Sequence, residues 1–294
     1  MIVGFGTRRV TDEIIEPFVT SAGGTWFRPL HRDGIHAVNP FELTRWAGYN
    51  HNHWLEEKPD SVVFGILRGT EKILWACKTH RQNYYYFDHA YFFKAEGHRP
   101  HPILQRRQYR ITINGENLNY ITELNGADRT RIVKYKNNLP ELSNQRKGGK
   151  ILIIPPTEAV CRYYNIHSLK HWKLTIGDKI KKYTDRDFII REKTSETPLE
   201  QDLEQAHVVI THQSTVGIKA HMQGIPVVCE NVSMCKPISI NYEDIEKDYK
   251  RNDDLTTDWI DSLLANQWTD SEIRSGRAKE DIDRLQSASR RNNI

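Results

Sequence analysis

The sequence predicts an α/β protein built from two parallel-sheet domains, and three observations carry that prediction. Short β-branched or aromatic runs alternate with helical stretches along both halves of the 294 residues, as strands alternate with the helices that cover a sheet. The composition shifts at Gln145–Lys150, a basic, glycine-bearing stretch followed at once by the apolar Ile151-Leu152-Ile153-Ile154. From Ala206 to Glu230 the chain reads as one complete strand, turn, helix and strand, the unit from which parallel sheets are assembled. The boundary is placed near residue 148, giving domains 1–147 and 148–270 and a C-terminal helix and tail over 271–294.

In the first half, Ile2-Val3-Gly4-Phe5-Gly6 reads as a strand entering a glycine turn. Its two glycines match part of a nucleotide fingerprint that lacks the third glycine, and a tight turn lining a cleft is an equal reading. Thr11 is expected to cap a helix from Glu13 to Val19. His51 and His53 flank Asn52 in a stretch rich in His, Asn and Trp, but no third ligand follows at a telling spacing. They are read as loop histidines, and no tightly held metal is expected. Ser61–Leu67 is a strand, followed by Arg68-Gly69-Thr70 and an apolar helix over Lys72–Lys78. A second strand, Tyr84–Phe87, ends in Asp88-His89-Ala90-Tyr91-Phe92. A carboxylate and an imidazole at a strand's carboxyl end, ringed by aromatics, have the chemistry to take a proton from a hydroxyl. A buried Asp capping a turn beside a packed His is the alternative. Gly115–Leu142 is polar and Asn-rich, a lid or a long connection.

In the second half, the strand Ile151–Ile154 leads through Pro155–Glu158 to a helix containing Val160–Tyr164, and Trp172–Tyr183 is an amphipathic helix. The strand Phe188–Ile190 ends in Arg191-Glu192-Lys193, and a short helix over Pro198–Gln205 returns the chain to Val208-Val209-Ile210. That strand ends in Thr211-His212-Gln213-Ser214-Thr215. A helix over Val216–Gln223 closes at Gly224, and Ile225–Val228 begins the next strand. Ser214 and Thr215 fall at the N-cap, which would leave the amides of Val216 and Gly217 for an anion, with Gly217 allowing close approach. An ordinary capped helix would carry the same residues. Asn241–Lys250 is acidic and partly helical, Trp259–Ala265 is a helix, and Thr269 or Asp270 caps another from Ser271 through Ser287.

Hydrophobic residues at 38% and aromatics at 10% supply a core and exclude a disordered chain. No stretch approaches the roughly eighteen apolar residues of a membrane helix, and no charged-then-apolar leader opens the chain. The expectation is a soluble cytoplasmic protein without a membrane span, its oligomeric state left open. Cys77, Cys161, Cys229 and Cys235 form no CxxC pair, so neither a zinc site nor a disulfide framework is indicated, and they read as cytosolic thiols. Asp185-Arg186-Asp187 has the letters of an acidic metal pair but runs directly into a strand, and is read as surface. A net charge of +4 suits an anionic partner. Bases bunch around Arg106-Arg107-Arg110, Arg129–Lys136, Arg146–Lys150 and Lys179–Lys182, near Tyr109, Tyr135 and Tyr183. A nucleic-acid track needs that pairing of charge and ring, and a solvated surface shows it too.

The segment THQSTVGIKAHMQGIPVV resembles the donor-binding half of GT-B glycosyltransferases, especially the capsule-polysaccharide type and phage-encoded relatives. The matching residues are His212, Ser214, Thr215, Gly217, Ala220, Gly224 and Pro226. GILRGT, YYYFDHAYF and YRITIN resemble the first domain of the phage type, at Gly65, Arg68, Gly69, Asp88, His89, Tyr91, Tyr109, Arg110 and Asn114, and NQWTDSEIRSGRA resembles its ending. The resemblance implies a GT-B-like fold, two Rossmann-like α/β domains facing across a cleft. It implies a metal-independent glycosyltransferase with no resident cofactor, using a nucleotide sugar, UDP-linked, as co-substrate. Arg191, Lys193, His212, Gln213, Ser214, Thr215, Gly217 and Lys219 would bind the donor. Lys219 stands where many such enzymes carry a ribose-binding Glu, a departure that either removes the nucleoside contact or turns the position to a phosphate. Gly6, Arg68, Tyr91, Tyr109 and Arg110 would line the acceptor side, with Asp88 as catalytic base and His89 as runner-up. The implied acceptor is DNA, a hydroxymethylated pyrimidine in a phage genome, which would put the protein in the host cytoplasm. A capsule or surface glycan is the second acceptor, and a non-catalytic nucleic-acid-binding protein on this scaffold is the reading from another class.

Overall fold

A computed structural model describes residues 1–6, 9–27, 56–67, 69–93, 101–102, 106–144 and 148–291. Arg68, His51, His53 and Arg146 lie outside the described residues. The chain forms two compact units. One comprises Met1–Glu116, Thr122–Val133 and Ser262–Ile294, the other Asn117–Ile121 and Lys134–Asp261. Each unit is an α/β layer, as the alternation of strands and helices predicts.

The first unit holds a six-stranded sheet in the order β10-β5-β4-β3-β1-β2. Strands β1 (Ile2–Phe5), β2 (Thr25–Phe27), β3 (Asp60–Phe64) and β4 (Tyr84–His89) are parallel. Strand β5 (Gln108–Ile113) runs antiparallel to β4, and β10 (Gln267–Thr269) antiparallel to β5. Helix α1 (Arg9–Ser21) buries Ile14, Ile15, Phe18 and Val19, spaced to lie on one face, against Val62, Phe87, Ile111 and Trp268. Thr11 therefore lies inside α1 and is not its cap. Pro17, within that helix, lacks the N–H that would reach the Glu13 carbonyl, and Arg274 supplies a donor to that oxygen at 2.8 Å. Helix α2 (Thr70–His80) follows β3 as predicted.

The C-terminal segment is part of this unit. Gln267–Thr269, grouped by the sequence with the second domain, is an edge strand of the first sheet. The fully buried Gln267 accepts from the amides of Tyr91 (3.1 Å) and Phe92 (3.2 Å) and donates to Gln108 (2.9 Å). Arg131, on helix α3 (Gly126–Lys136), donates to the carbonyls of Ala265 and Gln267. Thr269 opens helix α9 (Asp270–Arg274) in a reciprocal capping box with Glu272, as the sequence predicts. The single helix expected through Ser287 is broken at Gly276, whose φ of 82° ends one helix before α10 (Arg277–Arg291) begins. Arg284 of α10 grips the buried Asp128 with two hydrogen bonds, 2.8 and 2.5 Å.

The second unit holds an all-parallel sheet in the order β7-β6-β8-β9: Phe188–Ile190, Lys150–Ile154, Ala206–Thr211 and Val227–Cys229. Ile151, Ile153, Val208, Ile210 and Val228 pack with Trp172, Ile176 and Ile180 of helix α5 (Leu169–Ile180). Thr157 caps α4 (Glu158–Tyr163) and Ser168 caps α5, each hydroxyl accepting an amide of the first turn. Helices α6 (Leu199–Glu204) and α7 (Val216–Met222) flank β8, and α8 (Asp253–Ala265) follows later in the chain. β8 is central and buried along its whole length, so its carboxyl end, where ligands collect in such sheets, is a fixed platform.

Candidate functional site

At that end of β8 the backbone of Thr211–Thr215 is held by its own hydroxyls. Ser214 N donates to Thr211 Oγ1 at 3.1 Å, and Val216 N donates to Ser214 Oγ at 3.2 Å. Gly217 N donates to the Ser214 carbonyl at 3.1 Å. The amides of Val216 and Gly217, expected to await an anion, are thus already paired in this turn. Thr215 is the N-cap by position, but its side chain makes no capping bond. A Cβ at Gly217 would stand 2.7 Å from Cys235 Sγ, so glycine here lets α7 lie against Cys235.

The side chains of this turn are mostly neutral and tightly placed. His212 is 5% exposed, its ring centre 4.9 Å from that of Tyr164, and its Nδ1 has no hydrogen-bond partner among the described residues. Burial pushes its pKa down to about 4, so the imidazole is neutral at neutral pH. Gln213 Oε1 accepts from Tyr164 Oη (3.1 Å) and from Asn117 Nδ2 (2.9 Å). Asn117 Nδ2 also donates to the Val232 carbonyl at 3.1 Å, and Asn119 Nδ2 to that of Asn231 at 2.8 Å. Sequence reasoning missed Asn117 and Tyr164; Asn117 stands 96 positions before the residue it holds.

The cations expected to meet phosphate are differently placed. Arg191 donates to the carbonyl and hydroxyl of Thr197 and is ion-paired with the buried Asp202. Lys219 is ion-paired with Glu200. Lys193 is exposed in the turn after β7. Two of the three predicted phosphate cations are therefore engaged with carboxylates of the same unit.

On the first unit, Asp88 and His89 do end a strand, β4. Asp88 Oδ2 accepts from Arg110 Nη2 at 2.7 Å and from Tyr86 Oη at 3.2 Å, while Oδ1 accepts from the His89 amide at 2.7 Å. Arg110 is buried, with the Tyr91 ring centre 5.0 Å from its guanidinium carbon. The structure so brings together Asp88, His89, Tyr91 and Arg110, and adds Tyr86. His89 itself is exposed, its ring edge-on to Phe64 at 5.8 Å. Tyr109 packs on the same Phe64, and burial pushes its hydroxyl up to about 12, outside proton transfer at neutral pH. Gly6 leaves room for its neighbours: a Cβ there would stand 2.6 Å from the Trp26 ring and 2.8 Å from Asp12 Oδ1.

Among the described residues no group of three or more His, Cys, Asp or Glu is placed to hold a metal, and no helix is long and apolar enough to cross a membrane. No known family model matches the chain, and no curated protein matches it. Among solved structures the chain is similar to KpsC of Thermosulfurimonas dismutans, described as a beta Kdo 2,7 transferase. The TM-score is 0.47 at 10% identity, covering 95% of this chain and 99% of that one. It is also similar to the beta Kdo 2,4 transferase of the same organism's KpsC, with a TM-score of 0.44 at 10% identity and 90% of each chain covered.

Proposed function

We propose that the chain is a glycosyltransferase that moves a sugar from a nucleotide-linked donor to a hydroxyl of a glycan. The observation that carries this reading is the polar turn at the end of β8. There a neutral buried imidazole, a fixed amide and the hydroxyls of Ser214 and Thr215 stand at the carboxyl end of the central strand of a parallel sheet. In the transfer, the bond from the anomeric carbon to the donor's phosphate oxygen breaks and a bond to the acceptor oxygen forms. Negative charge is left on the phosphate, and donors already fixed in place stabilise it without reorganising.

The acceptor hydroxyl loses a proton, which we assign to the His89 imidazole. His89 is exposed at the end of β4, and Asp88 accepts hydrogen bonds at both carboxylate oxygens, one of them from the His89 backbone. Asp88 in this reading fixes the backbone of the base and is not itself the base. Four of the bases in the bunches that pointed to DNA are engaged within the protein, which favours the glycan. Arg107 pairs with Asp270 at 2.7 Å, Arg110 with Asp88, Lys136 with Asp261 at 2.8 Å, and Arg131 with two backbone carbonyls. A DNA track needs its cations facing phosphates.

The test is nucleotide release from UDP-, GDP- and CMP-linked sugars, with glycan or hydroxymethylated DNA as acceptor. Release that depends on glycan, and that His89→Gln lowers by about a hundredfold or more, is the expected result. Release that depends on DNA overturns the glycan assignment, and undiminished turnover by His89→Gln overturns the base.

A further inference from the structure

The hydrogen bonds around Gln213 decide which way its amide faces. The Val232 carbonyl can only accept, so the Asn117 atom 3.1 Å from it is the NH₂ nitrogen. That same nitrogen lies 2.9 Å from Gln213, so the Gln213 atom meeting it is the oxygen. The Tyr164 hydroxyl, 3.1 Å from that oxygen, is then a second donor to it. With Oε1 held from two sides, Nε2 points away from both. Nε2 makes no hydrogen bond to any described residue, and it is not among the enclosed polar atoms. Two enclosed polar atoms flank this network without a partner among the described residues: Asn117 Oδ1, on a residue 7% exposed, and His212 Nδ1. Buried polar atoms seldom stay without a partner, and these two stand on a residue bonded to Gln213 and on its neighbour in sequence.

We infer that Asn117 and Tyr164 are positioning residues that turn the Gln213 amide outward, where its N–H groups donate to an acceptor oxygen on the phosphate or base of the nucleotide-linked donor. This rests on the glycosyltransferase reading and deepens it. It names Gln213 as the fixed donor of the site, and assigns its orientation to a segment, Asn117–Ile121, contributed from the first half of the sequence. A rotating glutamine would have to be ordered by the ligand on binding, whereas one pinned at its oxygen is ordered beforehand.

Gln213→Glu tests it. Glutamate keeps an oxygen for both Asn117 and Tyr164, so the fold should hold, but it replaces the outward donor with an acceptor. Binding of the free nucleotides UDP, GDP and CMP and of their sugar conjugates would be measured by calorimetry on wild-type protein and variant, with the melting temperature as the control on folding. The expected result is a melting temperature within a degree or so of wild type and nucleotide binding at least about tenfold weaker. Asn117→Ala and Tyr164→Phe should each weaken binding in wild type and change little further in the Gln213→Glu background, a coupling that a purely structural role would not produce. Wild-type protein that binds its nucleotide while Gln213→Glu binds equally well overturns the inference alone. Wild-type protein that binds none of the panel overturns the parent reading and the inference with it.

Discussion

Mild acid should weaken the second unit through two imidazoles held neutral inside it. His221 is 2% exposed, with Nε2 2.8 Å from Thr256 Oγ1, Nδ1 3.2 Å from Tyr249 Oη, and its ring edge-on to Trp259. Burial, and then the nearby Arg251, push its pKa down to about 4, and burial does the same to His212. An unfolded histidine titrates near 6.5. Both folded values lie below the unfolded one, so between these limits the unfolded chain takes up protons that the folded chain refuses. Stability is therefore fully present above pH of about 6.5, declines as the pH falls, and levels off below about 4. At pH 5 each group has lost about 1.5 units at ~1.36 kcal/mol per unit, or roughly 2 kcal/mol, and the pair about 4 kcal/mol.

The carboxylates do not blur this window. Glu200 and Glu246 are held low by hydrogen bonds from Lys219 and Arg186, so their contribution is lost only at more acid pH. The assay is urea unfolding at pH 7, 6 and 5, with the imidazole proton resonances followed over the same range. The two buried signals should keep their neutral positions down to pH 5, and His221→Gln should remove about half of the acid sensitivity. Equal stability at pH 7 and 5, or an unchanged pH slope in His221→Gln, would refute the reasoning.

Gly217→Ala should destabilise by about 1–3 kcal/mol, because its methyl would crowd Cys235 Sγ, and Cys235→Ala in the same chain should recover much of that; denaturant unfolding of the three variants decides it, and a cost that persists without Cys235 contradicts the packing role. Arg274→Ala should cost up to about 1 kcal/mol in wild type and nearly nothing in Pro17→Ala, where the restored N–H reaches the Glu13 carbonyl itself; additive effects in the thermal melts would exclude that compensation.

The sequence disclosed what is local. The β8 turn and α7 lie within a few residues of one another, and the pair Asp88-His89 follows directly from the strand that carries it, so periodicity and turn chemistry sufficed. Partners chosen across the fold were out of reach. Arg191 and Lys219 read as phosphate cations until Asp202 and Glu200 stand beside them. Gly217 read as ligand space, and nothing local announced Cys235 beside it. Strand β10 spans three residues, too few for a period to show, and its place is set by pairing with β5 far back in the chain. Helix α3 hid in polar composition, yet it carried one readable signal. Asn125 and Asp128 bond each other's amides at 2.9 and 3.0 Å, a reciprocal start that an Asn three residues before an Asp can announce.

The central claim, that the turn after β8 binds a nucleotide-linked sugar for transfer, is tested most directly by a thermal-shift screen of the intact protein. UDP-, GDP- and CMP-linked sugars would be run on wild type and on Ser214→Ala with Thr215→Ala. At about a hundredfold over its dissociation constant a true donor adds about 2.7 kcal/mol, a rise of several degrees, and the double variant should lose it. A panel that leaves the wild-type melting temperature unmoved would contradict the account, and so would a shift that the double variant keeps in full.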